Sequence, residues 1–321
     1  MAVQAELRPP RRLARRDKVQ RLEFRAMGCH MLALVDAPQV VSQMNQVPNW
    51  FEDWEQTLSR FRADSELSRL NQNAGEPMPV SDTLWQVLHA SLHAARQSNG
   101  IVTPTLLAAL ESAGYDRTFD ALEPSAVRQR PGWMMVGDWR TIECNAATRS
   151  VCLPPGMRID LGGLAKGWAA DQAAQRLAEH APALIDAGGD IAVSGPQIHG
   201  DRWPIGVADP SEPEHNLEVL MIARGAVATS GRDYRRWQRN GVWQHHIIDP
   251  RTGEPAETDV IAATVIAPNA IDAEVAAKMV LILGSRTGLD WLEKQPTLAG
   301  LLVLEGGYVI HSQRLEDYVE N

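Results

Sequence analysis

The stretch that most constrains this chain runs from Arg158 to Asp171 and reads RIDLGGLAKGWAAD. It places Asp160 at the end of a short apolar run, then a Gly-Gly turn, then Lys166 in the first turns of a helix predicted over 164–180. Backbone N–H groups at a helix start, together with one nearby ammonium, can bind a phosphate group. Gly-Gly also ends strands and tightens helix packing in proteins that bind nothing, so this stretch alone leaves both interpretations open.

Nearly all positively charged side chains in this sequence are arginines. Of the 31 lysine and arginine residues, the only lysines are Lys18, Lys166, Lys278 and Lys294. The net charge of -9 argues against nucleic acid as the main partner, because phosphate neutralisation needs a basic surface. A basic cluster with two prolines, Arg8 to Arg16, falls within residues 1–20, which we predict to be a disordered arm ahead of a single domain over 21–315.

The cysteine pattern and the hydropathy predict a cytoplasmic protein. Cys29, Cys144 and Cys152 form no CxxC pair and leave an odd thiol, so neither a disulfide framework nor a zinc site is indicated. No run approaches the length of a membrane span, and the N-terminus has no apolar core of the kind a signal peptide needs. We therefore expect no stable membrane insertion.

Helical and extended patterns alternate along the chain without a regular βαβ order. Strands are predicted at 22–36, where Met27-Gly28 interrupts the pattern, on both sides of Gly188-Gly189, and at 242–248. An apolar helix is predicted at 271–284. This mixture predicts an α+β fold, built as one large domain with two lobes.

Two polar turns could bind a ligand. The sequence DAGGD at 186–190 places Asp186 and Asp190 around glycines that allow close backbone approach, although a plain hairpin turn explains it equally well. The sequence ATSG at 228–231 ends a strand with adjacent hydroxyls that can donate hydrogen bonds to a phosphate or a flavin. An ordinary hydroxyl-rich turn is the alternative.

Two further motifs carry titratable groups. In HHIIDPRTG at 245–253, a histidine near a carboxylate could act as a general base, although such residues often only fill a surface. In DAEVAAK at 272–278, Glu274 and Lys278 are spaced i and i+4 on a helix, which favours an ion pair. The apolar neighbours make a buried pair as plausible as a solvated one.

The order of these motifs resembles the ApbE family of flavin transferases. The resemblance is carried by MG at 27–28, LSRF and SELSRLN within 58–71, GxxxPT at 100–105 and the motifs above, and it covers about 21–311. It implies a reaction that cleaves the pyrophosphate of FAD, transfers FMN through its phosphate to a threonine of an acceptor protein, and releases AMP. Positioned cations, backbone donors and a base at the incoming hydroxyl suit that chemistry.

The resemblance also implies roles for individual residues. His246 and Asp249 would be the catalytic base and its partner. The family's FAD-binding positions fall on Met27, Phe61, Thr103, Asp160, Lys166, Asp190, Thr229, Ser230, His246 and Ile248. Thr103 stands where the family usually has an aspartate, which removes one carboxylate from the nucleotide site.

The family's magnesium site is altered in this sequence. Its ligands would be the Gly163 carbonyl, Glu274 at the family's aspartate position and Lys278 at the family's threonine position. An ammonium cannot coordinate a cation, so our hypothesis is that Lys278, held by Glu274, supplies charge that Mg²⁺ supplies in relatives. A competing alignment places Asp272 at the aspartate position.

Two other functions stay open at this point. A hydrolase could split FAD into FMN and AMP with water in place of the threonine. A protein that binds FAD without catalysis could also have arisen through loss of the metal site.

Overall fold

The computed structural model describes residues 19–122, 136–239 and 241–320. The predicted arm over residues 1–20 lies outside these ranges except for Val19 and Gln20, which belong to the first strand. The helices are α1 Val47–Leu58, α2 Glu66–Gln72, α3 Asp82–Gln97, α4 Leu107–Ser112, α5 Ala165–Ala178, α6 Ala270–Leu283 and α7 Ser285–Glu293. Within the described residues, no helix has the length and apolarity needed to cross a membrane.

The strands are short and spread along the whole described chain. They are β1 Val19–Ala26, β2 Cys29–Asp36, β3 Met78–Pro79, β4 Glu143–Asn145, β5 Ser150–Cys152, β6 Ala183–Ala187, β7 Asp190–Val193, β8 Trp203–Ala208, β9 Asn216–Ile222, β10 Gly225–Gly231, β11 Arg236–Arg239, β12 Val242–His245, β13 Ile248–Asp249, β14 Glu254–Pro255, β15 Val260–Ala267, β16 Ala299–Leu304 and β17 Val309–His311. The mixture of helices and strands confirms the predicted α+β class.

The described chain divides into two compact units. The first unit comprises the described parts of Met1–Glu52, Lys166–Gly231 and Asp259–Asn321, and the second comprises those of Asp53–Ala165 and Arg232–Thr258.

The first unit is built on an antiparallel sheet of eight strands in the order β1-β2-β6-β7-β10-β15-β16-β17. The β8–β9 hairpin packs on one face, where Trp203 and Leu220 join Val227 and other sheet residues in an apolar core. Because successive strand residues point to opposite faces, Ala226 and Ala228 lie on the other face. Helix α6 packs on strands β10 and β15.

Helix α6 has clear start and stop signals. The Asn269 side chain accepts a hydrogen bond from the Asp272 N–H, and its amide donates back to the Asp272 carboxylate, which is a reciprocal cap. The helix ends at Gly284, whose φ of 81° lies in the region that favours glycine. Between these ends most side chains are buried, which explains the apolar pattern of the predicted helix.

Helix α5 approaches α6 closely at Gly167. A Cβ atom on Gly167 would lie 2.8 Å from Oε2 of Glu274 and 2.9 Å from the carbonyl oxygen of Ala270. One turn later, the Asp171 carboxylate accepts hydrogen bonds from the N–H groups of Ala270 and Ile271. Helix α5 therefore caps the start of α6 and also fits against it.

The second unit holds α2, α3, α4 and three small sheets. Ser65 and Ser81 cap α2 and α3 by accepting hydrogen bonds from Ser68 N–H and Leu84 N–H. An apolar cluster around Tyr115 and Trp237 forms a local core. Short sheets and capped helices give this unit a less regular architecture than the first.

The strand predicted at 242–248 is wrong in its extent. It is split into β12, which pairs with β11, and β13, which pairs with β14. The adjacent Ile247 and Ile248 are both buried, so the chain does not keep the alternation of one continuous strand. His246 lies at this break.

The contact at Gly167 predicts the outcome of a substitution. Alanine has a higher helix propensity than glycine. Even so, Gly167→Ala should destabilise the protein by about 1–3 kcal/mol, because the added methyl group would overlap Glu274 and the Ala270 carbonyl. Urea unfolding would measure the change. In the control Gly195→Ala, the added atom meets only the end of the Arg224 side chain, at 3.3 Å, and should cost little. Equal stability of Gly167→Ala and wild type would contradict the close approach.

Candidate functional site

A buried cluster of charges lies where α5 meets α6 in the first unit. Lys166 Nζ contacts the carboxylate of Asp190 and lies 3.3 Å from Oε1 of Glu274. Lys278 Nζ donates to the same Oε1 at 2.9 Å. Three residues that the sequence implicated separately, Lys166, Asp190 and Glu274, are thus brought together with Lys278.

Both oxygens of the Glu274 carboxylate accept hydrogen bonds. Its Oε2 accepts the N–H of Gly167 at 3.2 Å, while Oε1 takes both lysines. Burial is the largest single effect on its pKa and would raise it, but the two ammoniums and these hydrogen bonds together lower the pKa of Glu274. Glu274 is therefore held as an anion.

The backbone around the start of α5 differs from the predicted phosphate cradle. The N–H groups of Leu164 and Ala165 donate to the Leu161 carbonyl, and that of Gly167 donates to Glu274. The prediction of free N–H groups is wrong at these positions, because the turn and the Glu274 carboxylate already satisfy them. The cationic part of the predicted site is nonetheless present.

The glycine turn contributes Asp190 to this cluster and also holds a second buried aspartate, Asp186. Asp186 accepts the Gly189 N–H at 2.7 Å. Burial chiefly raises the pKa of Asp186 to about 7, and the nearby Asp190 adds to the effect. Burial, followed by the charge of Glu274, also raises the pKa of Asp190.

This cluster does not fit a divalent cation. Both Glu274 oxygens accept hydrogen bonds, and two ammoniums lie beside them. Among the described residues, no group of three or more histidine, cysteine, aspartate or glutamate side chains is arranged to hold a metal ion. Asp272, the alternative ligand, is engaged in the cap with Asn269.

The other candidate residues of the first unit lie in two places. Thr229 is tied to the glycine turn, since its N–H donates to the Gly189 carbonyl at 3.3 Å, and its hydroxyl bonds to Thr264 at 2.8 Å. Ser230 is buried next to it. Met27 occupies the turn between β1 and β2 with a φ of 49°, followed by Gly28 at 68°.

The second unit brings Asp160 and Phe61 together through an arginine. Arg60 Nε lies 3.3 Å from Oδ1 of Asp160, and its Nη2 donates to the Tyr115 carbonyl at 2.8 Å. The guanidinium carbon lies 4.0 Å from the centre of the Phe61 ring. Arg60 lies within the LSRF motif, but the motif alone did not predict it as a site residue.

Two further predicted residues of this unit lie in turns. The buried Thr103 hydroxyl is 2.8 Å from the Thr105 hydroxyl, a contact that the sequence did not predict. Gly163 lies in the turn where the N–H of Leu164 bonds back to Leu161.

The two adjacent histidines have different environments. His245 is buried, its Nε2 lies 3.2 Å from the Ala256 carbonyl, and burial chiefly lowers the pKa of His245 to about 4. His246 is only partly buried. His245 therefore stays neutral at physiological pH, and His246 is the member of the pair that solvent can reach.

Asp249 and Ile248 follow this pair. The Arg251 guanidinium binds the Asp249 carboxylate with two nitrogens, at 2.9 Å from Nε and 2.7 Å from Nη2. Ile248 is buried in the apolar cluster with Tyr115 and Trp237. Both residues of the short strand β13 are therefore held in place, Ile248 by apolar packing and Asp249 by Arg251.

Comparison with solved structures shows that this chain has the fold of ApbE proteins. The ApbE protein of Thermotoga maritima superposes with a TM-score of 0.84 at 27% identity, covering 95% of this chain and 100% of that one. The flavin transferase ApbE of Vibrio cholerae shares the fold, with a TM-score of 0.78 at 22% identity, over 94% and 99% of the two chains.

Sequence comparison gives the family. The FAD:protein FMN transferase of Treponema pallidum is 32% identical to this chain over 305 residues, which cover 88% of this chain and 83% of that protein. A sequence profile described as the ApbE family matches residues 27–302. The chain belongs to the ApbE family.

The raised pKa of Asp186 predicts a pH-dependent loss of stability. The folded state holds this proton more tightly than the unfolded chain, so stability is lost as the pH rises from the ordinary pKa of 3.8 to about 7. Asp186→Asn keeps a neutral acceptor for the Gly189 N–H. As the pH rises over this range, the variant should become more stable relative to wild type, by roughly 4 kcal/mol at most.

Urea unfolding at several pH values would measure this difference. A constant difference for Asp186→Asn would show that Asp186 titrates as an ordinary carboxylate.

Proposed function

We propose that this chain is an FAD:protein FMN transferase, which attaches FMN through its phosphate to a threonine of an acceptor protein and releases AMP. One observation carries the proposal: the ammonium groups of Lys166, in the first turn of α5, and of Lys278, on the facing α6, both contact the Glu274 carboxylate. Two cations held side by side suit a diphosphate. The name of the Treponema pallidum relative supports the same reaction.

The proposed reaction is a phosphoryl transfer without an enzyme nucleophile. The threonine oxygen bonds to the phosphorus of the FMN half of FAD, and the bond from that phosphorus to the bridging oxygen breaks. The hydroxyl proton passes to a base, and AMP leaves with the bridging oxygen. Lys166 and Lys278 stabilise the charge that develops on the diphosphate.

Residues of the second unit take the remaining roles. His246 accepts the hydroxyl proton, since it is the partly exposed histidine of the pair, and Asp249 with Arg251 fixes the segment that carries it. Phe61 and Asp160, joined by Arg60, bind the nucleotide. Within the first unit, Met27, Thr229 and Ser230 complete the FAD contacts.

The same arrangement supports a role for lysine in place of magnesium. Glu274 stands at the aspartate position of the family's metal site, yet its oxygens accept hydrogen bonds from Lys166, Lys278 and the Gly167 N–H. Lys278 supplies a fixed positive charge at this position, and no step of the reaction is assigned to a metal ion.

The domain proposed for residues 21–315 contains the whole range matched by the family. A cytoplasmic setting stays a prediction. Among the described residues, Cys29, Cys144 and Cys152 form no disulfide bond, in keeping with it.

The transfer is tested with FAD and a threonine-containing acceptor protein. We expect a covalent FMN adduct in the mass spectrum of the acceptor and one AMP for each adduct. Free FMN with AMP and no adduct would instead identify an FAD pyrophosphatase. Tight FAD binding without AMP release would identify a non-catalytic FAD-binding protein.

His246→Gln should lower the rate of adduct formation by about 10²–10⁴-fold, because the incoming hydroxyl loses its base. FAD affinity, measured by flavin fluorescence, should change much less. An unchanged rate would remove His246 from the catalytic role.

Lys278 is tested by chelation and substitution. We expect the wild type to keep its rate in excess chelator, while Lys278→Met should lose at least about 100-fold and Lys278→Arg should recover part of that loss. The double variant Glu274→Asp with Lys278→Thr restores the family's residues and should gain Mg²⁺ binding in calorimetry, which wild type should lack. Complete loss of wild-type activity in chelator, restored by magnesium, would contradict the lysine hypothesis.

A further inference from the structure

The β11–β12 hairpin of the second unit presents an exposed face that the proposed chemistry does not use. In this antiparallel pair, Gln238 lies opposite Trp243, and Arg236 lies diagonally across from Trp243 on the same face. We call Arg236, Gln238 and Trp243 the hairpin face. Trp237, whose side chain points the other way, is buried in the core of the unit.

The composition of this face is typical of a protein-binding surface. Trp243 is 55% exposed, and Tyr234, which lies just before β11, is 59% exposed. The Arg236 guanidinium carbon lies 4.7 Å from the centre of the Trp243 ring, so the two side chains already form a stacked pair. Tryptophan, tyrosine and arginine dominate the energetic centres of protein interfaces.

The charge of the hairpin is opposite to that of the protein. The segment from Arg232 to Arg239 holds four arginines and one aspartate, within a chain of net charge -9. Arg236 is the exposed arginine of this segment, and the other three are partly buried. An exposed cation on an acidic protein attracts acidic partners and steers their approach. This complementarity indicates an acidic occupant.

The hairpin also leads directly into the proposed base. Strand β12 ends at His245, and His246 follows at once. A polypeptide seated on the hairpin face would therefore lie beside the segment that accepts the threonine proton.

From these observations we propose that the hairpin face docks the acceptor protein, through an acidic segment with an apolar side chain next to its threonine. The carboxylate pairs with Arg236, and the apolar side chain packs on Trp243. This inference rests on the proposed transferase function, whose partner it specifies.

Binding tests the docking site independently of catalysis. The probes are two fluorescent synthetic peptides with one threonine and one leucine, flanked by glutamates in the first and by lysines in the second. Fluorescence anisotropy should show that wild type prefers the glutamate peptide and that salt weakens its binding. Arg236→Glu should weaken that binding about tenfold or more and improve binding of the lysine peptide. Trp243→Ala should weaken both peptides.

The control is Arg140→Glu in the same unit. Arg140 is also exposed and stacks over a tryptophan, with its guanidinium carbon 4.4 Å from the ring centre of Trp139, but it lies outside the hairpin. This variant should bind both peptides as wild type does. Thermal unfolding of all three variants confirms that each is folded.

The catalytic measurement separates docking from the proposed function. Release of AMP from FAD in the absence of peptide should be the same in wild type, Arg236→Glu and Trp243→Ala, while the kcat/KM for adduct formation on the glutamate peptide should fall with its binding. If AMP release and adduct are absent throughout, the transferase proposal fails and the anisotropy still decides the docking site.

Three outcomes would overturn the docking proposal. The first is equal affinity of wild type and Arg236→Glu for the glutamate peptide. The second is a change in oligomeric state of Trp243→Ala in sedimentation, which would assign the face to a second copy of this chain. The third is binding of wild type to phosphatidylserine vesicles, lost in Arg236→Glu, with unchanged peptide binding.

Discussion

Burial of the Glu274 carboxylate constrains the rest of the candidate site in the first unit. Moving a carboxylate out of water costs several kcal/mol unless donors replace the lost hydration. Here the replacement comes from Lys278 on the same helix, and from Lys166 and the Gly167 N–H on α5. Helix α5 must therefore lie close to α6, which a side chain at residue 167 would prevent. One buried charge thus fixes the separation of two helices and the position of the ammonium at the start of α5.

Local signals in the sequence were sufficient for much of the fold. The apolar run before Gly284 predicted α6, and the i, i+4 spacing predicted the pair of Glu274 and Lys278, because both depend only on helix geometry. The contact of Gly167 with Glu274 joins residues 107 apart in the chain, and no periodic pattern encodes such a contact. The contact of Arg60 with Asp160 could not be predicted for the same reason, because these two residues are also far apart in the sequence.

The histidine motif shows a different limit of sequence analysis. The alternation over 242–248 is compatible with one strand, but the chain changes pairing partners after His245. Pattern alone could not distinguish the two histidines, because their difference arises from burial: His245 faces the Ala256 carbonyl, and His246 lies at the break. Tertiary packing, which is not a local property, therefore decides which of the two is available for proton transfer.

The choice of lysine at positions 166 and 278 has a physical reason in a chain that otherwise uses arginine. A guanidinium presents its donors in a planar fork and needs acceptors in matching positions, whereas an ammonium is compact and directs three donors tetrahedrally. Lys278 places one of its donors on Glu274, so the others can point to an anion without loss of that contact. Magnesium would instead need acceptor oxygens around it, and the oxygens of Glu274 are already committed to donors. The ammoniums that pair with Glu274 can therefore also donate to a diphosphate, so the site can bind an anion without a metal ligand set.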